Sequence, residues 1–307
     1  MTPPLLTRPR AELPSRSSLG KIVVSDLDRV DTYPTLSDTT VRVMGMVNNS
    51  NVSVAEVAGI VRRDGVIAGA VLRAANSCAY RGAKEIEEVQ QGVLRMGLQE
   101  CLKLLSTMGV KTMYNRYPAA VQERCDTLLR HSLFVARLAS GLSTAAAVGL
   151  PGPAFTAGLL HDIGRVVMCV KCPDDAATAA LLTGEETEDT VQLERDRVGT
   201  DHGAVGADFA VRNKLPESIV RVILNHHRPA DEVAHRELVA LVAVADRIAN
   251  HVQVRHNVTG YNLVTCPHFP VLARRWTPVR AAAFHKTLAQ TVVQAMRDTK
   301  TMLRSCE

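Results

Sequence analysis

From Ser37 onward, apolar residues recur every three or four positions, and no stretch of alternating apolar and polar residues competes with that spacing. A chain patterned in this way buries its apolar stripes helix against helix, so the fold class read from it is all-α, a helical bundle. Val41, Met44 and Val47 share one face. Ser53 with Glu56 forms a capping box ahead of Val54, Val57, Ile60 and Val61, a helix that Asp64 and Gly65 are expected to close. Val66 to Asn76, rich in small residues, is expected to be a central helix, and Val89 to Met96 and Leu98 to Met108 are separated by Gly97. The longest element is placed from about Ala119 to Leu142, with Leu128, Leu129, Leu133, Phe134 and Leu138 as its apolar stripe and His131 near its middle.

Further helices are placed at Phe155 to Leu160, Ile163 to Cys169, His202 to Arg212, Glu217 to His226 and Glu237 to His251. Gly149 to Pro153, Pro173, Gly184, Pro216, Pro229, Pro267 and Pro270 read as stops between them. A last helix, Arg280 to Leu303, carries Phe284, Leu288, Val292, Met296 and Leu303 on one side, either to pack back on the bundle or to pair with another copy in a homodimer. Residues 1–30, rich in Pro, Ser and Arg without a period, read as a flexible arm.

Composition removes several function classes. The 36 Lys and Arg are dispersed among 31 Asp and Glu, and only 4% of residues are aromatic, so the basic clusters with stacking rings of a nucleic-acid surface are missing. The run Arg274, Arg275 and Arg280 around Trp276 is short and could serve an interdomain or partner contact. No apolar run approaches the roughly 20 residues of a membrane span, and the first residues lack a secretory apolar core, so no membrane association is expected and the cytoplasm is the default compartment. Seven scattered cysteines give no disulfide framework. Cys169 and Cys172 form a C-x-x-C without a second pair, and read as partly buried thiols ahead of a zinc or redox role.

The chemistry lies in His131, His161, Asp162, His202, His226, His227 and Asp246. Imidazole and carboxylate are the groups that hold divalent transition metals. Neighbours on a continuous helix diverge by about 100°, so His161 and Asp162 reach one centre only where a helix turns or ends, a turn that Gly164 is expected to help make. His226 and His227 stand at another helix end, stopped by Pro229. Taken singly, His131 reads as a hydrogen-bonded core histidine, Asp246 as a surface partner of Arg247, and His202 as an exposed first-turn residue. Taken as a set, the seven are expected to converge in one pocket of the bundle, as bundle-core metal sites require. His235, His251, His256 and His285 are assigned to surface or structure.

The order and spacing resemble the HDOD domain, the HD-related output domain of bacterial signalling proteins. The resemblance runs over about residues 30 to 250, through Leu72-Arg73-Ala74-Ala75-Asn76-Ser77, Arg95-Met96-Gly97, Gly158-Leu159-Leu160-His161-Asp162-Ile163-Gly164-Arg165, His226-His227-Arg228-Pro229 and Ala245-Asp246-Arg247. It implies an HDOD unit over 31–252, with an N-terminal helical half at 31–115 and an HD-like half at 116–252, followed by a loop and amphipathic helix at 253–307. It also implies a divalent metal, iron, manganese or zinc, as one or two ions.

HD relatives with the GYP pattern hydrolyse cyclic dinucleotides at such a centre. This chain has Arg228 where they carry a glutamate, lacks the GYP segment, and has Arg165 where they usually carry lysine. Arg165 could bind phosphate bidentately, but its pKa is too high for proton transfer. Arg228, if it pointed inward, would repel a metal.

Three functions stay open. One is a signalling output module with a residual metal, weakly or not catalytic, that meets a signalling partner; Arg73, Asn76 and Ser77 would then be regulatory surface or a core polar network. The second is a metal-dependent phosphohydrolase or phosphodiesterase acting on a cyclic dinucleotide, with His131, His161, Asp162 and Asp246 holding the principal ion and His202, His226 and His227 completing a second site. The third is a module that binds a nucleotide without cleaving it. No catalytic residue is assigned.

Overall fold

The computed structural model describes residues 34–47, 49, 51–77, 80, 82, 84–171, 189–255 and 261–306. The expected arm at 1–30, the stops at Pro173 and Gly184, His256 and the Cys172 half of the C-x-x-C lie outside the described residues. Among the described residues the protein is all-helical, with no strand. No described helix is long and apolar enough to cross a membrane.

The N-terminal half comprises α1 (Asp38–Val47), α2 (Val54–Val61), α3 (Gly65–Asn76), α4 (Val89–Met96) and α5 (Leu98–Tyr114). Ser53 caps α2, its side chain accepting from Glu56 N. Asp64 and Gly65 do not close that helix. Asp64 opens the next one, its carboxylate accepting from the amides of Val66 and Ile67, because an Asx side chain satisfies orphan amides most readily at an N-cap. Gly97 joins α4 to α5 at φ +86°, a left-handed backbone that glycine adopts without a Cβ penalty. Asn76 sits in a polar network, exchanging two 2.8 Å hydrogen bonds with the backbone of Ile86 and accepting from Arg95.

The second half is built on α6 (Ala119–Ala145), with α7 (Pro151–Leu160), α8 (Ile163–Lys171), α9 (Thr190–Val198), α10 (His202–Arg212), α11 (Glu217–Asn225) and α12 (Arg236–Arg255) around it. The central position belongs to α6, not to α3 as the small residues of 66–76 suggest. α6 touches α5, α7, α8 and α12, and it is buried on every side from Ser132 to Ser140. Pro151 and Pro153 stand in the first turn of α7 rather than between helices, where their missing amides cost nothing. Arg137 of α6 is buried and pairs with Glu100 of α5 at 2.5 Å, tying the two halves together.

A short α13 (Phe269–Leu272) and the long α14 (Pro278–Ser305) finish the chain. α14 packs back along α6 and α3, and its start is pinned by Arg280, whose Nε donates to the Ala146 carbonyl at 2.8 Å. The buried stripe of α14 is Phe284, Leu288, Val292, Ala295, Thr299 and Met302. The expected continuation through Met296 and Leu303 departs from it because a strict four-residue spacing rotates by about 40° at each step. Met296 is accordingly 41% exposed.

Candidate metal centre

Helix ends and the middles of two long helices put the seven side chains in place. His161 and Asp162 occupy the break between α7 and α8. His202 opens α10 behind its cap Asp201, whose carboxylate accepts from Ala204 N. His226 caps the C-terminus of α11, with His227 next to it, while His131 and Asp246 come from the middles of α6 and α12. Gly164 does not make the turn. It lies inside α8, where a β-carbon would run into the backbone carbonyl of His202 and the amide of Gly206. Its role is the close approach of α8 to α10, which brings Asp162 up to His202.

The outer nitrogens are held by fixed acceptors. His161 Nδ1 donates to the Gly158 carbonyl at 2.8 Å, and His226 Nδ1 donates to the Ile223 carbonyl at 2.9 Å. A carbonyl oxygen only accepts, so the ring proton sits on Nδ1 and the Nε2 lone pair faces inward. His202 Nδ1 donates to Glu194 Oε2 at 2.6 Å, and the same oxygen accepts the His202 backbone amide at 2.9 Å. His131 Nδ1 meets Gln253 Oε1 at 2.8 Å. Metal-binding histidines are oriented by this kind of outer partner.

The inner nitrogens then crowd together. Nε2 of His202 lies 2.9 Å from Nε2 of His227 and 3.3 Å from Nε2 of His226. Asp162 Oδ1 is 3.4 Å from His202 Nε2 and 3.6 Å from His226 Nε2, while Asp162 Oδ2 is 3.6 Å from His161 Nε2. Asp246 Oδ1 stands 3.0 Å from His131 Nε2 and 3.6 Å from His161 Nε2. Two donor groups result, Asp162 with His202, His226 and His227, and Asp162 with His131 and His161, each with its ligand atoms within 4.8 Å of one another. Asp162 belongs to both.

This donor set fits a divalent cation. Both Asp162 oxygens and His161 Nε2 are buried without a hydrogen-bond partner, a costly arrangement for a carboxylate unless positive charge is close. Nitrogen lone pairs at these separations repel unless a proton or a cation lies between them. Nitrogen and carboxylate donors without thiolate suit zinc, iron or manganese.

Electrostatics run the same way. Burial opposes the charge on Asp162, yet Arg165 and the surrounding imidazoles hold its carboxyl well below the usual range. Burial likewise opposes the charge on Asp246, and the hydrogen bond of His131 with the charge of the neighbouring imidazoles overcomes it, holding the carboxyl well below the usual range. Burial would depress His131, but the hydrogen bond and charge of Asp246 raise it to about 9. Five of the seven, His161, Asp162, His202, His226 and Asp246, are buried; only His131 and His227 retain partial exposure.

Arg165 is 3% exposed, with Nε 3.6 Å from Asp162 Oδ2 and 3.6 Å from Glu194 Oε1. It is an internal counter-ion, and a phosphate would have to compete with two carboxylates for it. Arg228 is exposed and does not point inward. Three residues that the sequence analysis did not single out support the site: Glu194, Gln253 and Asn250, whose amide donates to Asp246 Oδ1 at 3.0 Å. Asn250 and Gln253 fall one and two turns after Asp246, so helical spacing could have exposed them.

The fold and the site define a helical-bundle protein with a buried His/Asp cluster of HD type. The HDOD domain family model matches residues 33–229, and the chain belongs to that family. An HDOD domain protein of Geobacter sulfurreducens, whose structure is solved, is 24% identical and aligns over 90% of this chain and 97% of its own, with a TM-score of 0.67. A protein of Shewanella amazonensis SB2B, provisionally named a phosphohydrolase, is 22% identical over 94% of this chain and 99% of its own, also with a TM-score of 0.67. At such identities the likeness speaks for the fold. An uncharacterized protein of Treponema pallidum (strain Nichols) is 23% identical over 227 residues, 74% of this chain, which spans 44% of that relative's length.

Proposed function

We propose that this chain is a signalling output module whose bundle carries a divalent-metal centre and which is weakly catalytic or not catalytic at all. The observation that carries the reading is the Asp162 carboxylate, buried between two imidazole groups with neither oxygen hydrogen-bonded. His131, His161, Asp162 and Asp246 would hold one ion, and His202, His226 and His227 would hold a second, with Asp162 shared between them. Iron, manganese or zinc would neutralise the buried carboxylates and supply Lewis acidity when bound. The chain's own groups do the positioning: Glu194, Gln253 and the Gly158 and Ile223 carbonyls aim the rings, and Arg165 balances charge.

The same geometry supports low turnover. Five of the seven donors are closed off from solvent, and Arg165 is engaged by Asp162 and Glu194 instead of facing an open pocket. Output would then pass to a signalling protein in the cytoplasm through the surface of the bundle. A phosphodiesterase acting on a cyclic dinucleotide is the second reading, and the partial exposure of His131 and His227, one on each donor group, favours it. A module that binds a nucleotide without cleaving it is the third.

The test is metal-loaded protein incubated with a cyclic dinucleotide and with bis(p-nitrophenyl) phosphate. Metal binding without product release supports the output module. Product release that disappears in Asp162→Ala supports the enzyme, and saturable nucleotide binding without turnover supports the sensor.

A further inference from the structure

Because the buried stripe of α14 follows Ala295, Thr299 and Met302, Met296 and Leu303 are left facing a groove between α6, α12 and α14. The groove holds a hollow of about 470 Å³ whose walls are Phe134, Val252, Met296 and Leu303 and whose rim carries Arg130 and Lys300. A second hollow of about 450 Å³ shares Arg130, Lys300 and Leu303 and adds Lys111, Arg304 and Asp126. Among the described residues, four cations therefore line the two hollows against one carboxylate, and that carboxylate already accepts the Tyr114 hydroxyl at 2.7 Å. None of the four cations makes a salt bridge among the described residues. An apolar floor ringed by unpaired positive charge is complementary to a molecule with an apolar body and an anionic end.

Gln253 also lines this groove, and its Oε1 takes the Nδ1 proton of His131 at 2.8 Å. The groove and the donor cluster thus share a side chain.

We propose that the groove between α6, α12 and α14 is a binding site for a small amphipathic anion, with its apolar body against Phe134, Val252, Met296 and Leu303 and its carboxylate, sulfonate or phosphate held by Arg130 and Lys300. Occupancy reaches the metal centre through Gln253, because a ligand that displaces this side chain removes the acceptor that aims His131. This second clause rests on the metal reading above; the binding itself does not.

The experiment is a fluorescence titration of the full chain with anilinonaphthalene sulfonate, an aromatic anion, alongside light scattering. Saturable one-site binding that weakens with salt is expected. Arg130→Glu/Lys300→Glu should weaken it by about tenfold or more, since like charge would then face the anion. Met296→Trp, at an exposed position, should fill the hollow and remove binding while the thermal transition stays in place. Lys84→Glu/Arg197→Glu, which makes the same charge change elsewhere, should leave binding unaltered. Non-saturable binding, or equal affinity in all variants, would overturn the site. A dimer that dissociates on Met296→Trp with probe binding unaltered would overturn it too, by making the groove an interface between copies.

For the coupling, saturating probe should shift the chelator concentration that strips the metal by about threefold in the wild type and not in Gln253→Ala. An equal shift in both proteins would overturn the coupling alone. A chain that binds no metal would sink the reading on which the coupling rests, with the groove titration still deciding the site.

Discussion

Glu194 Oε2 accepts both the Nδ1 proton and the backbone amide of His202, at 2.6 and 2.9 Å, so one buried carboxylate fixes the position and the tautomer of a single imidazole. That pair turns Nε2 of His202 toward Asp162, His226 and His227. Glu194→Gln should weaken metal retention by about 10- to 100-fold, the range typical of a lost outer partner. Competition against a graded series of chelators reads the effect. Unaltered retention would show that the neighbouring helices alone aim His202.

Packing makes a separate demand at Gly164. A methyl group there would meet the His202 carbonyl and the Gly206 amide, both backbone atoms that cannot rotate away. Gly164→Ala should destabilise the fold by about 1–3 kcal/mol, as overpacked positions do, and lower metal retention by parting α8 from α10. Urea unfolding with and without metal separates the two effects. An unchanged midpoint would mean that the two helices are not in close contact.

Much of this was legible in the sequence, and what was missed has physical causes. The helix class, the break at His161 and Asp162 and the ends at Gly97 and Pro229 follow from periodicity and backbone chemistry. α9 did not show because its buried stripe is Thr190, Glu194 and Val198, with a carboxylate where a periodicity reading looks for an apolar residue. Gly164 was misread as a turn former because a glycine needed for close approach and one needed for a left-handed φ are the same letter. Met296 and Leu303 lie on the expected spacing of α14, and only its rotation about the bundle shows that Met296 is exposed and Leu303 half-buried.

The metal-free protein should be sensitive to alkali through His131. Its imidazole, ordinarily near 6.5, is raised to about 9 by Asp246, so its stabilising contribution is complete below about pH 6.5 and disappears as pH rises through 9. Chelator-treated protein should lose on the order of 2–3 kcal/mol of unfolding free energy between pH 7 and pH 10. His131→Gln should flatten that stretch of the profile. A wild-type profile as flat as the variant's would contradict the charged pair.

Core and site should separate by mutation. Leu133 and Leu160 are fully buried, and either one changed to Ala should cost about 2–5 kcal/mol in denaturant unfolding, with metal or without it. His226→Ala should act mainly on metal retention. If it collapses the metal-free fold as severely as Leu160→Ala, His226 is a structural core residue.

Elemental analysis is the most direct test of the central claim, using protein purified without chelator or histidine tag beside a His161→Ala/Asp162→Ala variant. The account predicts one or two equivalents of iron, manganese or zinc in the wild type and none in the variant. No bound metal in either protein, even after reconstitution with each ion, would contradict it and leave the seven side chains as a buried polar core.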